Sequence, residues 1–279
     1  MFYNKSMIGL LIILLIIFSL YLLALFPNIS RKHLMKPYEE RYIAHRGLFN
    51  NLDIPENSLI AFEEAVKNKY GIELDIQLTK DDKLVVFHDS SLKRMTGIDK
   101  NLIDCTYDEL LQYKLLDTNE VIPLFKDVLN ILEKDTPLII EIKPEGRYLE
   151  TTKRVVSLMQ GYNGLYNIES FNPYVVYYLK KNEPQIIRGQ LAYNSINDKN
   201  SKVNIFLKII LTNLLFNFIN RPDYIAYQHS DMNNLSFRIV SKIYHAECVA
   251  WTIKSQKELE KAKKYYKCFI FDSFIPDKD

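Results

Sequence analysis

In this 279-residue chain, charged and imidazole side chains stand at the ends of short apolar runs. His45-Arg46-Gly47 follows residues 42–44, Glu73 and Asp75 sit in residues 71–76 (GIELDI), His88-Asp89 follows residues 84–87, and Glu141 and Lys143 straddle the end of residues 138–142 (LIIEI). In an extended strand residues two apart share a face, so Glu73 pairs with Asp75 and Glu141 with Lys143. Three carboxylates converging on one poorly solvated place stay ionised only if a cation compensates them, and an oxygen-only ligand set suits Mg²⁺ or Ca²⁺. The same acids can instead pair with Arg46 and Lys143 in a structural ion network, and spacing alone leaves both readings open. His45 and His88, two of five histidines, are suited to moving protons near neutral pH. Arg46 and Lys143 would bring positive charge suited to an anionic phosphoryl group.

The elements that must position these residues follow from periodicity. Apolar, β-rich runs recur at residues 42–45, 71–76, 138–142, 165–169, 186–191, 224–226, 248–253 and 269–271. Between most of them lie stretches long enough for crossover helices, among them residues 58–67, 122–133, 173–181, 234–244 and 255–266. Eight strands with helical crossovers predict an α/β fold, a (β/α)8 TIM-type barrel. The run at residues 84–88 follows the Glu73 strand after only five residues, too few for a parallel crossover, so it is expected to return antiparallel and carry His88 back towards the barrel mouth. Only seven residues follow Asp272, so no last crossover helix is expected, and the tail or the linker is left to cover the closing seam.

His45-Arg46-Gly47, Pro55-Glu56-Asn57-Ser58, Glu73-x-Asp75, Thr79-Lys80-Asp81, His88-Asp89 and Glu141-Ile142-Lys143 occur in that order, followed by Ser170-Phe171, Trp251-Thr252 and Asp272. This ordered set resembles the glycerophosphodiester phosphodiesterase family over roughly residues 41–275. The resemblance implies Glu73, Asp75 and Glu141 as ligands of a divalent metal, His45 and His88 as the acid and base, and Arg46 and Lys143 as phosphate contacts. It further implies attack of a glycerol hydroxyl on phosphorus, a cyclic phosphate opened by water, and release of glycerol 3-phosphate and an alcohol. Glu56 and Asn57 match a supporting element in which Ser58 replaces threonine; Ser58 or Asn57 is also a candidate cap for the next helix. Phe271 stands where the family more often has a hydroxyl residue before Asp272. Trp251 and Phe171, at strand ends, are candidates for a substrate-pocket wall or for core packing.

Composition bounds the rest. With 36 Lys and Arg against 34 Asp and Glu, the formal charge is +2, which excludes general nucleic-acid binding by a basic field. Three scattered cysteines, Cys105, Cys248 and Cys268, suggest buried fillers rather than disulfides or zinc. Residues 7–26 form an uncharged stretch of twenty, about 30 Å as a helix, which reads as a single transmembrane anchor. Residues 1–30 are thus expected to be the anchor, 31–40 a basic linker and 41–279 the barrel. Lys5 alone precedes the segment and Arg31, Lys32, Lys36 and Arg41 follow it, which places the barrel on the cytoplasmic side, with the extracellular face as the alternative. Residues 203–219 are apolar but for Asn204, Lys208, Thr212, Asn213 and Asn217, the pattern of one helix that is either a buried crossover or lies on membrane lipid. The family resemblance implies a glycerophosphodiester as the substrate, with a lysophospholipid as the alternative.

Overall fold

The computed structural model describes residues 2–144, 146–199 and 203–277. Among the side chains of residues 2–6, which lie outside that description, is Lys5. Nine strands form one sheet: β1 (Tyr42–His45), β2 (Gly71–Leu78), β3 (Leu84–Val86), β4 (Leu138–Ile142), β5 (Tyr166–Ser170), β6 (Arg188–Ala192), β7 (Tyr224–Gln228), β8 (Glu247–Ile253) and β9 (Cys268–Phe271). Eight run parallel, and β1 pairs with both β2 and β9, which closes the barrel. The ninth strand, β3, returns antiparallel along β2, with Ile76 opposite Val86. This is the hairpin expected from the five-residue spacing.

A long helix, α1 (Phe2–Leu25), precedes the barrel, and α2 (Leu59–Lys67) follows β1. The excursion after β3 carries two single-turn helices, α3 (Lys93–Thr96) and α4 (Tyr107–Leu110), before α5 (Phe125–Ile131). Next come α6 (Tyr148–Met159), a crossover beyond those expected from the sequence, and α7 (Pro173–Asn182). Residues 203–219 do not form one helix. They break after Thr212 into α8 (Ile205–Thr212) and α9 (Asn217–Asn220), with Leu214 at φ +56° between them. The polar side chains of Thr212 and Asn217 are buried, whereas Ile205, Phe206 and Ile209 are exposed. A last pair, α10 (Leu235–Arg238), prolonged by a wider turn through Ile243, and α11 (Gln256–Ala262), completes the ring. No helix follows β9 among the described residues; Phe274 of the tail packs on Phe271 there, so the tail covers the seam.

Strand alternation divides the core. Ile72, Leu74, Ile76, Ile140 and Ile142 face the helices and pack with Phe62, Val155 and Val175. Ile43, Ile139, Leu191, Tyr224, Val249 and Ile270 fill the barrel. Its lower end is closed by Met35 and Tyr38, from a 3₁₀ segment at Ile29–Tyr38, the stretch expected to be a linker. All three cysteines are buried and unpaired.

α1 is the one helix among the described residues long and apolar enough to cross a membrane. Its last turns are tied to the barrel: Tyr21 Oη lies 2.8 Å from Ser236 Oγ, the Tyr244 hydroxyl donates to the Leu22 carbonyl at 2.8 Å, and Asn217 Nδ2 donates to the Leu25 carbonyl at 3.0 Å.

Inside the barrel, Tyr224 of β7 crosses over Gly189 of β6 to reach Glu169 of β5 at 2.7 Å and Asn167 at 2.6 Å. A Cβ on Gly189 would sit 2.2 Å from the Tyr224 ring, so only glycine leaves room for the ring. Burial, with the charges of Glu141 and Asp75, pushes Glu169 up to about 8 despite the Tyr224 hydrogen bond. A protonated Glu169 can donate to the phenol while the phenol donates to Asn167.

Gly189→Ala is expected to lower stability by about 1–3 kcal/mol through overpacking, read as an earlier urea midpoint. Because Glu169 holds its proton to higher pH when folded than when unfolded, its contribution to stability is lost as pH rises from the ordinary carboxylate range through about 8. Glu169→Gln should therefore melt closer to the parent protein at pH 5 and progressively above it towards pH 8; an identical pH dependence in the two proteins would refute this.

Candidate active site

The acids, histidines and cations assigned chemistry from the sequence, His45, Arg46, Glu73, Asp75, His88, Glu141 and Lys143, gather towards the carboxyl ends of the parallel strands, the side on which barrel active sites are built. Leaving β1, the chain turns sharply through Arg46 at φ +56° and Gly47 at φ +82°. A Cβ at Gly47 would come within 2.8 Å of the Ala61 backbone, so glycine lets the turn close onto α2. The turn aims the Arg46 amide at Glu73 Oε2, 3.0 Å away, and its guanidinium at Glu56 Oε1, 2.7 Å away, with Asp75 Oδ2 at 3.5 Å.

Ser58 caps α2 by accepting from the Ala61 amide, which frees Asn57 to donate to Asp75 Oδ2 at 2.8 Å. On the next two parallel strands, the register sets Asp75 beside Glu141. One carboxylate oxygen each from Glu73, Asp75 and Glu141 lies within 4.8 Å of the other two, and all three residues are buried. Lys143 donates to Asp75 Oδ1 at 3.2 Å and pairs with Glu141 Oε1 at 2.8 Å.

The electrostatics of this triad are unbalanced. Burial and the adjacent Asp75 and Glu141 push Glu73 far above the usual carboxylate range, and Arg46 offsets this only in part. Burial also raises Glu141 against the pull of Lys143. At Asp75 burial works the same way but is outweighed by Lys143, His88 and Arg46, which hold it ionised. In the wider network six carboxyl groups (Glu56, Glu73, Asp75, Asp89, Glu141 and Asp272) face four permanent cations, Arg46, Arg94, Lys143 and Lys254. The ion network considered from the sequence is therefore present and leaves negative charge over. A hard divalent cation fits an all-carboxylate donor set with such an excess.

Both histidines carry a carboxylate on Nδ1: His45 Nδ1 is 2.9 Å from Asp272 Oδ2, and His88 Nδ1 is 2.6 Å from Asp89 Oδ1. With Nδ1–H donating to the acid, Nε2 is left to accept, and that of His45 lies 4.0 Å from Glu73 Oε2. Burial lowers the His45 pKa although Asp272 opposes it, which favours the neutral ring near pH 7. His88 is delivered by the hairpin: Phe87 donates its amide to the Asp75 carbonyl at 2.9 Å, and Gln77 Nε2 holds the Phe87 and Asp89 carbonyls at 2.8 and 2.9 Å.

Glu56 does not reach the triad directly. Its oxygens are taken by Arg46, Asn51 and Arg94, and although burial resists ionisation, Arg94 and Arg46 lower it to about 2. Arg94, from α3, grips Glu56 and Asp89 together. Phe171 and Trp251 stack edge-on at 5.3 Å and share Tyr193 as a third ring, 5.7 and 6.3 Å away, so they form an aromatic wall rather than separate fillers. Sequence reasoning gave no role to Asp89, Arg94 or Tyr193. The period-two run Gly189, Leu191, Tyr193 carried a signal for Tyr193; nothing in the spacing marked Arg94, which is placed by a four-residue helix.

Comparison with known proteins agrees with this geometry. Residues 45–273 match the glycerophosphoryl diester phosphodiesterase family. A human relative named lysophospholipase D GDPD1 is 35% identical over 157 residues, 51% of this chain and 48% of its own length, so the chain spans about half the length of that relative. Bovine glycerophosphodiester phosphodiesterase 1 is 25% identical across 90% of this chain and 82% of its own. Among solved structures, an Oleispira antarctica phosphodiesterase in complex with the product sn-glycerol-3-phosphate superposes with a TM-score of 0.67 at 21% identity, covering 85% of this chain and 94% of that one. With the fold and an ordered motif set extending from the first strand to the last, the chain belongs to the glycerophosphoryl diester phosphodiesterase family.

Proposed function

We propose that the protein is a membrane-anchored, metal-dependent phosphodiesterase that hydrolyses glycerophosphodiesters to glycerol 3-phosphate and an alcohol. The observation that carries this reading is the pair of carboxylate-braced histidines at the mouth that holds the buried triad Glu73, Asp75 and Glu141. A divalent cation, Mg²⁺ or Ca²⁺, held by the triad would supply positive charge to the phosphoryl oxygens. Arg46 and Lys143 are the remaining cations for the phosphate. His45, kept neutral by burial, accepts a proton from the attacking hydroxyl, and His88 returns one to the departing alcohol. The rings of Phe171, Tyr193 and Trp251 wall off the organic part of the substrate.

The uncharged stretch of α1 from Met7 onward supports a membrane anchor, and the basic residues that follow α1 support a cytoplasmic barrel. A lysophospholipid is the second substrate class. It is favoured by the likeness to the human lysophospholipase D and distinguished by release of a lysophosphatidic acid in place of glycerol 3-phosphate.

Assays of the full chain on both substrate classes test this reading. EDTA and Glu73→Ala should each abolish turnover, and His45→Ala should lower kcat by about 10²–10⁴-fold; full activity of the Glu73 variant would reject the metal assignment. Arg94 touches no reacting group but holds Asp89 and Glu56, so Arg94→Ala should cost about 10–100-fold in kcat with KM little changed. Lysine, lacking the two-pronged guanidinium, should restore only part of the loss. A KM effect alone would remove Arg94 from this positioning role.

A further inference from the structure

We infer that the barrel mouth is pressed against the bilayer surface by an apolar rim of which Phe206 and Leu235 are the centre. This rests on the anchor reading above and adds the face and the residues through which the barrel meets lipid.

The direction of α1 comes first. Asn28 donates its amide to the Pro222 carbonyl, just before β7 begins and thus at the closed end of the barrel. Going backwards along the chain, Leu25 meets Asn217, Leu22 meets Tyr244 at the far end of the α10 unit, and Tyr21 meets Ser236 at its start. That unit descends from the mouth, because it follows the carboxyl end of β7. The helix α1 therefore climbs towards the mouth, and residues 7–20 leave the body on that side, about 21 Å of apolar helix at 1.5 Å per residue.

α8 stands on the same side. Thr212, its last residue, is already level with the strand ends: its carbonyl accepts from Tyr227 of β7 at 2.9 Å, and its hydroxyl lies 3.1 Å from Ser195, three residues beyond β6. The rest of α8 lies beyond the strands with Lys208 turned inward, its Nζ on the Asp198 carbonyl at 2.6 Å. Asp198 in turn accepts from Tyr193 of the aromatic wall, so α8 is joined to the pocket.

Exposure gives the independent observation. Outside α1, the described large apolar side chains at least 61% exposed are Leu52, Tyr174, Ile205, Phe206, Leu235, Ile275 and Ile243. All but Ile243 lie just beyond the carboxyl end of a strand or on α8, that is, around the mouth. A scattered apolar surface is ordinary; one gathered on the active-site rim, where an apolar helix also departs, marks an interaction face. Lipid is the occupant that suits both, since the uncharged residues 7–20 of α1 and the rim beside them then share one apolar medium.

The test uses the full chain in phosphatidylcholine vesicles, with an environment-sensitive fluorophore at Phe206→Cys or Ile243→Cys and the unsubstituted protein, whose cysteines are buried, as the blank. A blue-shifted probe quenched by spin-labelled lipid at position 206, and a wet probe at 243, are expected. Phe206→Asp should cut turnover of vesicle-borne lysophosphatidylcholine about tenfold and leave soluble glycerophosphocholine turnover unchanged. A chain stripped from vesicles by alkaline carbonate would overturn anchor and docking together. A retained chain with position 206 as wet as position 243 would overturn docking alone. A lipid-buried probe at 206 in a protein that cleaves neither substrate would uphold docking and reject the phosphodiesterase reading.

Discussion

The structure is organised around uncompensated negative charge in a place where water cannot screen it. Glu73, Asp75 and Glu141 are brought together by the register of two parallel strands, and Lys143 and Arg46 neutralise only part of what they carry. A buried carboxylate cluster of this kind is costly for folding, since each ionised group loses hydration that its neighbours of like sign make worse. It persists because the groups around it are themselves fixed: Asn57 by a turn, Lys143 by the hydrogen bond from its amide to the Ile76 carbonyl just after β4, Arg46 by a left-handed backbone that glycine then completes. On the proposed reading this imbalance favours a hard cation, and that cation, together with Arg46 and Lys143, would hold the phosphodiester.

The histidines extend that logic outward. Each is gripped at Nδ1 by an acid from a different part of the chain, Asp272 after the last strand and Asp89 beside the hairpin. Arg94 ties one of those acids to Glu56, and Glu56 to Arg46, so the orientation of His88 and that of Arg46 are linked through a single guanidinium. The hairpin strand β3, the departure from regular barrel alternation, is what makes this linkage possible: without it neither His88 nor α3 would lie over the mouth.

Much of this was legible in the sequence. The eight parallel strands and the hairpin followed from periodicity and from one short connection, and the three acids and two histidines were marked by their place at strand ends. What escaped had physical reasons. Residues 203–219 read as one amphipathic helix because hydrophobic patterning registers periodicity but not a left-handed break such as Leu214, and the polar stripe turned out to face the body while the apolar side faces out. Residues 31–40 read as a linker because basic composition hides Met35 and Tyr38, which fill the lower end of the barrel. Tyr193 and Arg94 were silent because their importance lies in who their neighbours are, and neighbours across a barrel are set by topology rather than by spacing.

The hydrogen bonds from Tyr244 and Asn217 to the last turns of α1 have a consequence, on the proposed reading, for how the protein would meet its substrate. A catalytic head on a slack tether sweeps a hemisphere of solution and meets molecules by three-dimensional diffusion. Here the head and its stalk are clamped at one angle, which forbids that swing. On the anchored reading, encounters are left to lateral drift of the whole protein in the plane of the lipid, a two-dimensional search.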